Sequence, residues 1–465
     1  MTREPFTLLG TAFHTPERGR LEVLEDHLFS IDAQGRIAEI LAPGHPDYAA
    51  RESDARLSGT LVRLADGQFL LPGLVDLHIH APQWPQMGKA LDVPLEVWLQ
   101  KYTFPLEARY ADVDYAREVY ADLVDNLLAN GTTTALYFAT VHVEASLALA
   151  GTCMEKGQRA LVGKVAMDDA QQCPPFYRDA DAASAVSDTR RFIVAVQSLD
   201  SGERPLVQPV ITPRFIPSCT DAALQGLGEL ATEFGCHVQT HCSESDWAKQ
   251  FVEERFGQTD AASLDGFGLL TRHTILAHSN FIDGQDMDLI KEKGAGVAHC
   301  PLSNVYFANA AFPLRAALDR QMHVGLGTDI SGGYSPSLFD GCRHALSASR
   351  TLQSGVHAGL PPEQRGAPGE PITHQEAFWL ATAGGAEALD LPTGSFRVGH
   401  EFDALLIDTR ASASNIHINA ADDTLDDVFQ KIVLNAARAN IAKVWVSGRM
   451  VAGQWKRGAP PIDLG

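Results

Sequence analysis

The sequence has little positive charge for its length and no extended run of Lys and Arg. Its 465 residues contain 37 Lys and Arg against 58 Asp and Glu, which gives a formal net charge of −21. A surface this acidic repels phosphate backbones and anionic lipid headgroups. We therefore expect no nucleic-acid partner and no membrane partner.

Signals for export or membrane insertion are also missing. The longest uncharged stretch of interest, residues 126–143, contains two Asn, four Thr, Gly131 and His142, so it is too polar to span a bilayer. The N-terminus has only a short apolar stretch and no small-residue cleavage pattern. Cysteine is scarce: the seven residues are odd in number and form no Cys-x-x-Cys pair, which favours a reducing compartment over a disulfide framework. Together these absences predict a cytoplasmic protein.

Both ends of the chain are β-rich, whereas the middle alternates short apolar runs with amphipathic stretches. The ends carry strand–Gly–strand patterns, and we expect residues 1–70 and 393–465 to meet in one small composite β-sandwich domain. Residues 71–392 contain eight βα units, which predicts an α/β fold of the (β/α)₈ TIM-barrel type. A doubly wound sheet would need a phosphate-binding Gly turn directly after a strand. The closest match, GLGELA at 226–231, lies inside a helical pattern, so the barrel is favoured.

Polar residues recur where the predicted barrel strands end. His78 and His80 end the first strand, His241 the fifth, His278 the sixth and Asp329 the eighth. The period of two in a strand puts the first two side chains on one face. Active sites of such barrels lie at the C-terminal ends of the strands, and imidazole and carboxylate groups are ligands for a divalent transition metal. The pattern therefore predicts a metal site. The eight predicted strands are 73–80, 132–140, 160–168, 207–215, 237–241, 274–279, 295–301 and 323–329.

The other histidines give weaker signals. His142 and Glu144 form a His-x-Glu string, but the Pro-Cys-x-x-Cys that completes the cytidine-deaminase zinc signature is missing. His237 lies at the wrong end of its strand for a ligand. His299 ends the seventh strand and is either a neighbour of the site or a packing residue. The sequence also lacks a Gly-x-Ser-x-Gly elbow and a Walker A motif, which argues against serine hydrolases and P-loop enzymes.

The strings PGLVDLHIH, TPRF, QTHCSE, LAHS and GTD, in this order, resemble those of the amidohydrolase superfamily across nearly the whole chain. The resemblance implies that His78, His80, His241 and Asp329 hold zinc and that His278 lies beside the metal. Binuclear relatives place a carboxylated lysine at the end of the fourth strand, which here reads VQPVITPRF. Lys164 is on the third strand and is interpreted as structural, so we expect one Zn²⁺ per chain.

Within the superfamily, the local strings HAPQ (80–83), KYTFPLEARY (101–110), TPRF (212–215) and HCSE (241–244) are similar to those of the guanine-deaminating branch. The resemblance implies hydrolysis of guanine to xanthine and ammonia in purine catabolism, and a homodimer. It places Glu244 as the proton-shuttling carboxylate, with Asp329 and His278 as the other catalytic groups. The substrate-binding residues it implies are Gln83, Arg214, Phe215, His241, Glu244 and Asp329.

Several alternatives stay open from the sequence. Arg214 could form an ion pair across the barrel mouth, and Phe215 could pack instead of stacking on a base. The string WPQMGK at 84–89 departs from relatives and concerns the lip of the pocket. The activity could be deamination or dechlorination of another heterocycle, such as a triazine. A non-catalytic scaffold would have lost metal ligands, and here all are present.

Overall fold

A computed structural model describes residues 4–308 and 310–453 of the chain. Residues 1–3 and 454–465, which fall in the predicted composite domain, lie outside the described residues. The strands are β1 (Phe6–Glu17), β2 (Arg20–Ile31), β3 (Ile37–Leu41), β4 (Leu61–Arg63), β5 (Gln68–Pro72), β6 (Leu74–His80), β7 (Thr132–Phe138), β8 (Arg159–Gly163), β9 (Val165–Ala166), β10 (Val207–Pro213), β11 (His237–Cys242), β12 (Thr274–His278), β13 (Gly296–His299), β14 (His323–Leu326), β15 (Ala404–Asp408), β16 (Ile441–Val446) and β17 (Arg449–Gly453).

The α-helices lie mainly between the strands of the central region. They are α1 (Tyr48–Leu57), α2 (Leu95–Trp98), α3 (Phe104–Ala108), α4 (Val113–Ala129), α5 (Val143–Lys156), α6 (Ala182–Leu199), α7 (Asp221–Phe234), α8 (Asp246–Phe256), α9 (Asp260–Gly266), α10 (Gly284–Lys293), α11 (Pro301–Phe307), α12 (Leu314–Asp319), α13 (Leu338–Ser354), α14 (His374–Leu380), α15 (Ala383–Ala388) and α16 (Leu425–Asn435). Short 3₁₀ turns occur at Ala81–Gln86, Arg109–Ala111, Ile216–Ser218, Pro362–Gln364 and Arg438–Asn440, and a π-helical turn at Leu99–Thr103.

The central strands form a parallel barrel. Their order is β6, β7, β8, β10, β11, β12, β13, β14, and β9 pairs with β10 as a continuation of the third strand. The first and last strands approach each other through two backbone hydrogen bonds, Asp329 N–H to the His78 carbonyl at 2.8 Å and His80 N–H to the Ile330 carbonyl at 2.9 Å. The predicted (β/α)₈ barrel is confirmed, because each of the eight predicted strands overlaps one strand of the structure, the third in two pieces.

Two glycines have distinct roles in the helices between the strands. Helix α4 ends at Ala129, two residues before Gly131, whose φ of +86° is left-handed. The string GLGELA lies within α7, and a Cβ on Gly228 would meet the Phe267 carbonyl oxygen at 1.8 Å. This glycine therefore serves close packing and has no role in binding phosphate.

A second sheet is built from both ends of the chain. Its order is β17, β16, β15, β5, β1, β2, β3, and β4 pairs with β1. Strand β5 pairs antiparallel with β15 and then continues through Gly73 into the first barrel strand. At the N-terminal ends of the barrel strands, Arg159 Nε lies 3.3 Å from Asp403 Oδ2 in a buried ion pair that joins β8 to the residue before β15. The composite second sheet confirms the prediction that the chain ends meet, while the boundaries at 70 and 393 stay predictions.

All seven cysteines are free thiols. Among residues 4–308 and 310–453, no helix combines the length and apolar character needed to cross a bilayer.

A long excursion separates β6 from α4 and covers the C-terminal end of the barrel. We call residues 81–111 the β6–α4 segment. It consists of short helical turns, and its side chains Leu95, Trp98 and Leu99 belong to one buried apolar cluster with Phe138, at the end of β7, and Phe307, on α11. The segment therefore forms an apolar cover over the strand ends.

Candidate active site

Four side chains from three strands meet at the C-terminal end of the barrel. His78 and His80 lie on β6, His241 on β11, and Asp329 three residues after β14. Asp329 Oδ1 lies 3.1 Å from His78 Nε2 and 3.5 Å from His80 Nε2. His80 Nε2 in turn lies 3.1 Å from His241 Nε2. The structure thus brings together the four residues that the sequence predicts as metal ligands, and all four are buried.

The chemistry of this cluster fits a divalent transition metal. Burial, with smaller contributions from neighbouring positive groups, lowers the pKa of His78, His80 and His241 well below the ordinary value, so these imidazoles are neutral, as ligands must be. His78 Nε2 and His278 Nε2 are buried and make no hydrogen bond of suitable geometry with the described residues, although His78 Nε2 lies 3.1 Å from Asp329 Oδ1. The donor atoms of His78, His241 and His278 all lie within 4.8 Å of one another. Such buried, unpartnered nitrogen atoms are what a bound ion would satisfy.

A backbone carbonyl orients His241. Its Nδ1 lies 2.6 Å from the carbonyl oxygen of Arg214, which can only accept a hydrogen bond. The proton therefore resides on Nδ1, and the lone pair of Nε2 faces the cluster. The Arg214 backbone thus orients a residue of the His/Asp cluster, and its side chain lines the cavity.

His278 is held by a chain of two asparagines. Its Nδ1 donates to Asn304 Oδ1 at 2.9 Å, Asn304 Nδ2 donates to Asn280 Oδ1 at 2.7 Å, and Asn280 Nδ2 donates to the Glu244 carbonyl at 3.0 Å. These bonds turn His278 Nε2 toward the Glu244 carboxylate at 3.7 Å and toward Asp329 Oδ2 at 3.9 Å. Neither asparagine could be predicted from the sequence: Asn304 lies on α11, for example, and no periodic signal links it to a strand end.

The backbone is strained where the strands deliver these groups. His278, Ser279, Asp329 and Ser243 all have positive φ values, +66°, +55°, +49° and +43°. Left-handed backbone in residues other than glycine costs on the order of 1–3 kcal/mol each and is common at functional sites. The surrounding hydrogen bonds hold this geometry.

Glu244 follows β11 and lies beside the cluster. Burial, and next the negative charge of Asp329, raises the pKa of Glu244 to about 8. A carboxyl group with such a pKa can hold a proton at neutral pH and release it during a reaction. The sequence-predicted proton shuttle therefore stands in an environment suited to that chemistry.

Gln83 and Arg214 form one wall of the site together with a residue that the sequence analysis did not single out. Arg214 Nη1 and Nη2 donate to the Glu107 carboxylate at 2.6 and 3.1 Å, and Gln83 Nε2 donates to the same carboxylate at 2.8 Å. The ion pair that was the alternative interpretation of Arg214 is present, and Arg214 also lines the cavity. Its two interpretations are therefore compatible.

Phe215 packs beside the cluster. Its ring is 6.3 Å from the His241 ring at an interplanar angle of 71°, and 5.9 Å from the Trp247 ring. Phe215 is 9% exposed and lines the cavity, so it packs and also presents part of its ring to a ligand.

These groups face one cavity, which has about 420 Å³ of empty space including its opening to solvent. Its apolar side comes from Leu95, Trp98 and Leu99 of the cover and from Phe307 on α11. None of these four residues was predicted from the sequence to line the site. His78 and His278 lie behind the lining. The full lining is His80, Gln83, Leu95, Trp98, Leu99, Arg214, Phe215, His241, Glu244, Phe307, Asp329 and Gly332.

The remaining candidates lie outside this lining. His142 is the residue before α5, and the His237 ring packs against His273 at 5.1 Å. His299 is buried with its ring 5.4 Å from Phe312. Lys164 forms a buried ion pair with Asp179, in line with a structural role.

Comparison with known proteins places this site in a family context. Residues 69–451 match the Amidohydrolase family. The chain is 38% identical over 449 residues to a probable guanine deaminase of Schizosaccharomyces pombe. The match covers 96% of this chain and 83% of that protein. It is also 38% identical over 451 residues to guanine deaminase of Mus musculus, with 95% of both chains covered.

A solved structure is similar over the same length. The crystal structure of guanine deaminase from C. acetobutylicum with guanine bound in the active site superimposes with a TM-score of 0.84. The match covers 96% of this chain and 100% of that chain, at 28% sequence identity.

Proposed function

The chain belongs to the amidohydrolase family, and we propose that within this family it is a guanine deaminase, which converts guanine and water to xanthine and ammonia. The observation that carries the proposal is a single cavity lined by three kinds of group. It presents metal-type ligands, a carboxyl group with a raised pKa at Glu244, and the directed donors of Gln83 and Arg214.

We propose one zinc ion per chain, held by His78, His80, His241 and Asp329. Three imidazoles and one carboxylate favour Zn²⁺, and Fe²⁺ would suit the same donor set. When bound, such an ion supplies Lewis acidity, which lowers the pKa of water from 15.7 to about 7 and so provides a nucleophile at neutral pH.

The residues of the chain supply the proton transfers. Asp329 accepts a proton from the attacking water and orients it toward C2 of guanine. Glu244 starts protonated and delivers its proton to N3 of the ring as negative charge develops there. It then takes the proton of the hydroxyl group on the tetrahedral carbon and passes it to the departing amine, and the proton on Asp329 returns to Glu244. His278 stabilises the charge on the tetrahedral carbon's oxygen when its Nε2 is also protonated, since its Nδ1 already donates to Asn304. Overall, the oxygen of water ends on C2, one of its protons on a ring nitrogen and the other on the amine, which leaves as ammonia when the C2–N bond breaks.

Substrate selection follows from the N–H groups of Gln83 and Arg214, which we call the donor wall. Guanine presents a carbonyl and ring nitrogens as acceptors, which suits the N–H groups of Gln83 and Arg214. Adenine carries an amino donor in place of the carbonyl, so the buried donors would lose their partner. Mismatches of this kind reduce kcat/KM by about 10⁴-fold or more.

We further propose that the enzyme acts in purine catabolism in the cytoplasm as a homodimer. The free cysteines support a reducing compartment, and the close similarity to guanine deaminases over the full length of the chain supports the assembly and the pathway.

A substrate panel tests the proposal. Purified protein loaded with zinc is given guanine, adenine, cytosine and an aminated triazine, and ammonia release is measured at initial rate. We expect guanine to be turned over with a kcat/KM far above that of the other compounds. Equal values for guanine and adenine, or a clear preference for the triazine, would refute it.

A further inference from the structure

Glu107, on α3 of the β6–α4 segment, is completely buried and binds two cavity residues at once. Its Oε2 accepts a hydrogen bond from Arg214 Nη1 at 2.6 Å. Its Oε1 accepts from Arg214 Nη2 at 3.1 Å and from Gln83 Nε2 at 2.8 Å. One carboxylate therefore fixes both residues that we place against the purine.

The amide of Gln83 is fixed from both sides. Its Oε1 accepts a hydrogen bond from the backbone N–H of Ser331 at 3.1 Å, while its Nε2 donates to Glu107. A reversed amide would place donor against donor at Ser331 and acceptor against carboxylate at Glu107. Gln83 Oε1 also accepts a hydrogen bond from the Ser331 hydroxyl at 3.4 Å. Gln83 therefore presents one defined face to the cavity, with one N–H free of these two partners.

The Arg214 guanidinium is charged, and its neighbours fix its position. Burial alone would lower its pKa, but the Glu107 carboxylate outweighs burial and raises the pKa of Arg214 above the ordinary value. The guanidinium also lies over the Phe104 ring, with Cζ 5.1 Å from the ring centre. Two of its five N–H groups point to Glu107, and no other side-chain hydrogen bond of this guanidinium occurs among the described residues.

The pair also sets the charge of the wall. A lone buried guanidinium would favour an anionic ligand, whereas the Arg214–Glu107 pair carries no net charge. A neutral wall with oriented N–H donors suits a neutral heterocycle that offers a carbonyl oxygen.

We propose that Glu107 is a positioning residue, which orients Arg214 and Gln83 so that they select purines with a carbonyl at C6. This inference rests on the proposed function, because it takes the purine as the ligand of the cavity. Glu107 does not line the cavity, so it acts through the other two side chains. Since the same segment supplies Leu95, Trp98 and Leu99, its folding builds the apolar cover and the donor wall together.

The test is a binding selectivity that does not depend on turnover. Hypoxanthine has the C6 carbonyl and purine does not, and neither carries the 2-amino group that is hydrolysed. Their Kd values are measured by calorimetry for the zinc-loaded wild type, Glu107→Gln and Glu107→Asp. In Glu107→Gln, one acceptor oxygen becomes an NH₂ donor that faces the donors of Arg214 or Gln83.

A matched control comes from the other end of the barrel. Asp403→Asn removes the nearer carboxylate from the buried Arg159, which keeps a longer contact with Glu401 at 3.9 Å, so both variants weaken the ion pairing of a buried guanidinium. Both should lower the melting temperature, but only the Glu107 variants should change the selectivity between the two purines.

We expect the wild type to prefer hypoxanthine over purine, Glu107→Gln to lose most of this preference, and Glu107→Asp to lose part of it because its carboxylate is one methylene shorter. The kcat/KM of Glu107→Gln for guanine should fall by about 100-fold, the usual scale when a positioned group is displaced by about 1 Å. An unchanged Kd ratio in the folded Glu107 variants, or the same loss in Asp403→Asn, would overturn the inference. Should Glu107→Gln not fold, the ratio measured for Glu107→Asp decides. Failure of the proposed function has a different signature, namely no guanine turnover by the wild type.

Discussion

Asp76 accepts two hydrogen bonds from Thr328, one from the backbone N–H at 3.0 Å and one from the hydroxyl at 2.5 Å. Asp76 lies on β6 two residues before His78, whose N–H donates to the same carboxylate at 3.2 Å, and Thr328 directly precedes Asp329. The carboxylate thus ties the first barrel strand to the residues that follow the last one. Three of the four residues proposed as metal ligands depend on this junction.

We expect Asp76→Asn to weaken zinc binding without removing a ligand. The amide can accept fewer hydrogen bonds than the carboxylate, so the Thr328 hydroxyl or N–H loses its partner and Asp329 becomes less well oriented. Groups that orient ligands contribute about 10- to 100-fold to metal affinity. A competition titration against a chelator measures the change. Asp403→Asn, a buried carboxylate far from the cluster, should retain wild-type affinity, and an equal effect in both variants would show a general loss of stability instead.

Glu244→Gln separates proton transfer from binding. The change keeps size and hydrogen bonding but removes the titratable proton, so kcat should fall by about 10²- to 10⁴-fold. Zinc content, the melting temperature and the Kd for hypoxanthine should stay near wild type, because Gln83 and Arg214 carry the binding. Near-normal kcat at full metal occupancy would move the shuttle to Asp329, the other carboxylate in the cluster.

His241→Ala should lose metal and activity together. The wild type is expected to hold one zinc per chain, which elemental analysis of the purified protein measures. His237 offers a control on the same strand, because it lies four residues earlier and packs against His273, away from the cluster. His237→Ala should therefore keep its zinc. Two metals per wild-type chain, or full activity without metal, would contradict the assignment.

His237 also predicts a pH dependence of stability. Burial, and next the neighbouring His273, lowers its pKa from 6.5 to about 4. Below pH 6.5 the unfolded chain takes up a proton at this residue while the folded protein does not, so the free energy of unfolding falls as the pH falls.

Between pH 6.5 and about pH 5 this loss amounts to about 2 kcal/mol, since one pKa unit corresponds to about 1.4 kcal/mol. His237→Phe lacks the group and should lose less stability over the same interval. Urea titrations of both proteins at the two pH values give the free energies of unfolding. The same loss of free energy between the two pH values in both proteins would show that His237 is not the group responsible.

The site residues at the strand ends could be predicted from the sequence because every strand of a barrel follows the same geometric rule. Residues at i and i+2 of β6 share a face, and parallel strands deliver their last residues to the same end. His78, His80, His241 and Asp329 could therefore be expected to meet once the eight strands were placed. The same rule explains why the His237 end of β11 lies far from the cluster.

The donor wall and the cover could not be derived in this way. Glu107 and Trp98 lie in a segment of short helical turns that has no regular period, so only tertiary packing determines what they contact. Asn304 reaches His278 from α11, which follows the next barrel strand, β13. The positive φ of His278 likewise carries no signal in a residue type that does not favour that conformation.

The proposed hydrolysis of guanine at C2 is tested most directly in water labelled with ¹⁸O. Zinc-loaded protein is incubated with guanine in labelled water, and xanthine and ammonia are quantified, the former by mass spectrometry. We expect equal amounts of both products, with one ¹⁸O atom in each xanthine, and no product from His241→Ala. Absence of xanthine with the wild type, or equal product formation by the variant, would contradict the account.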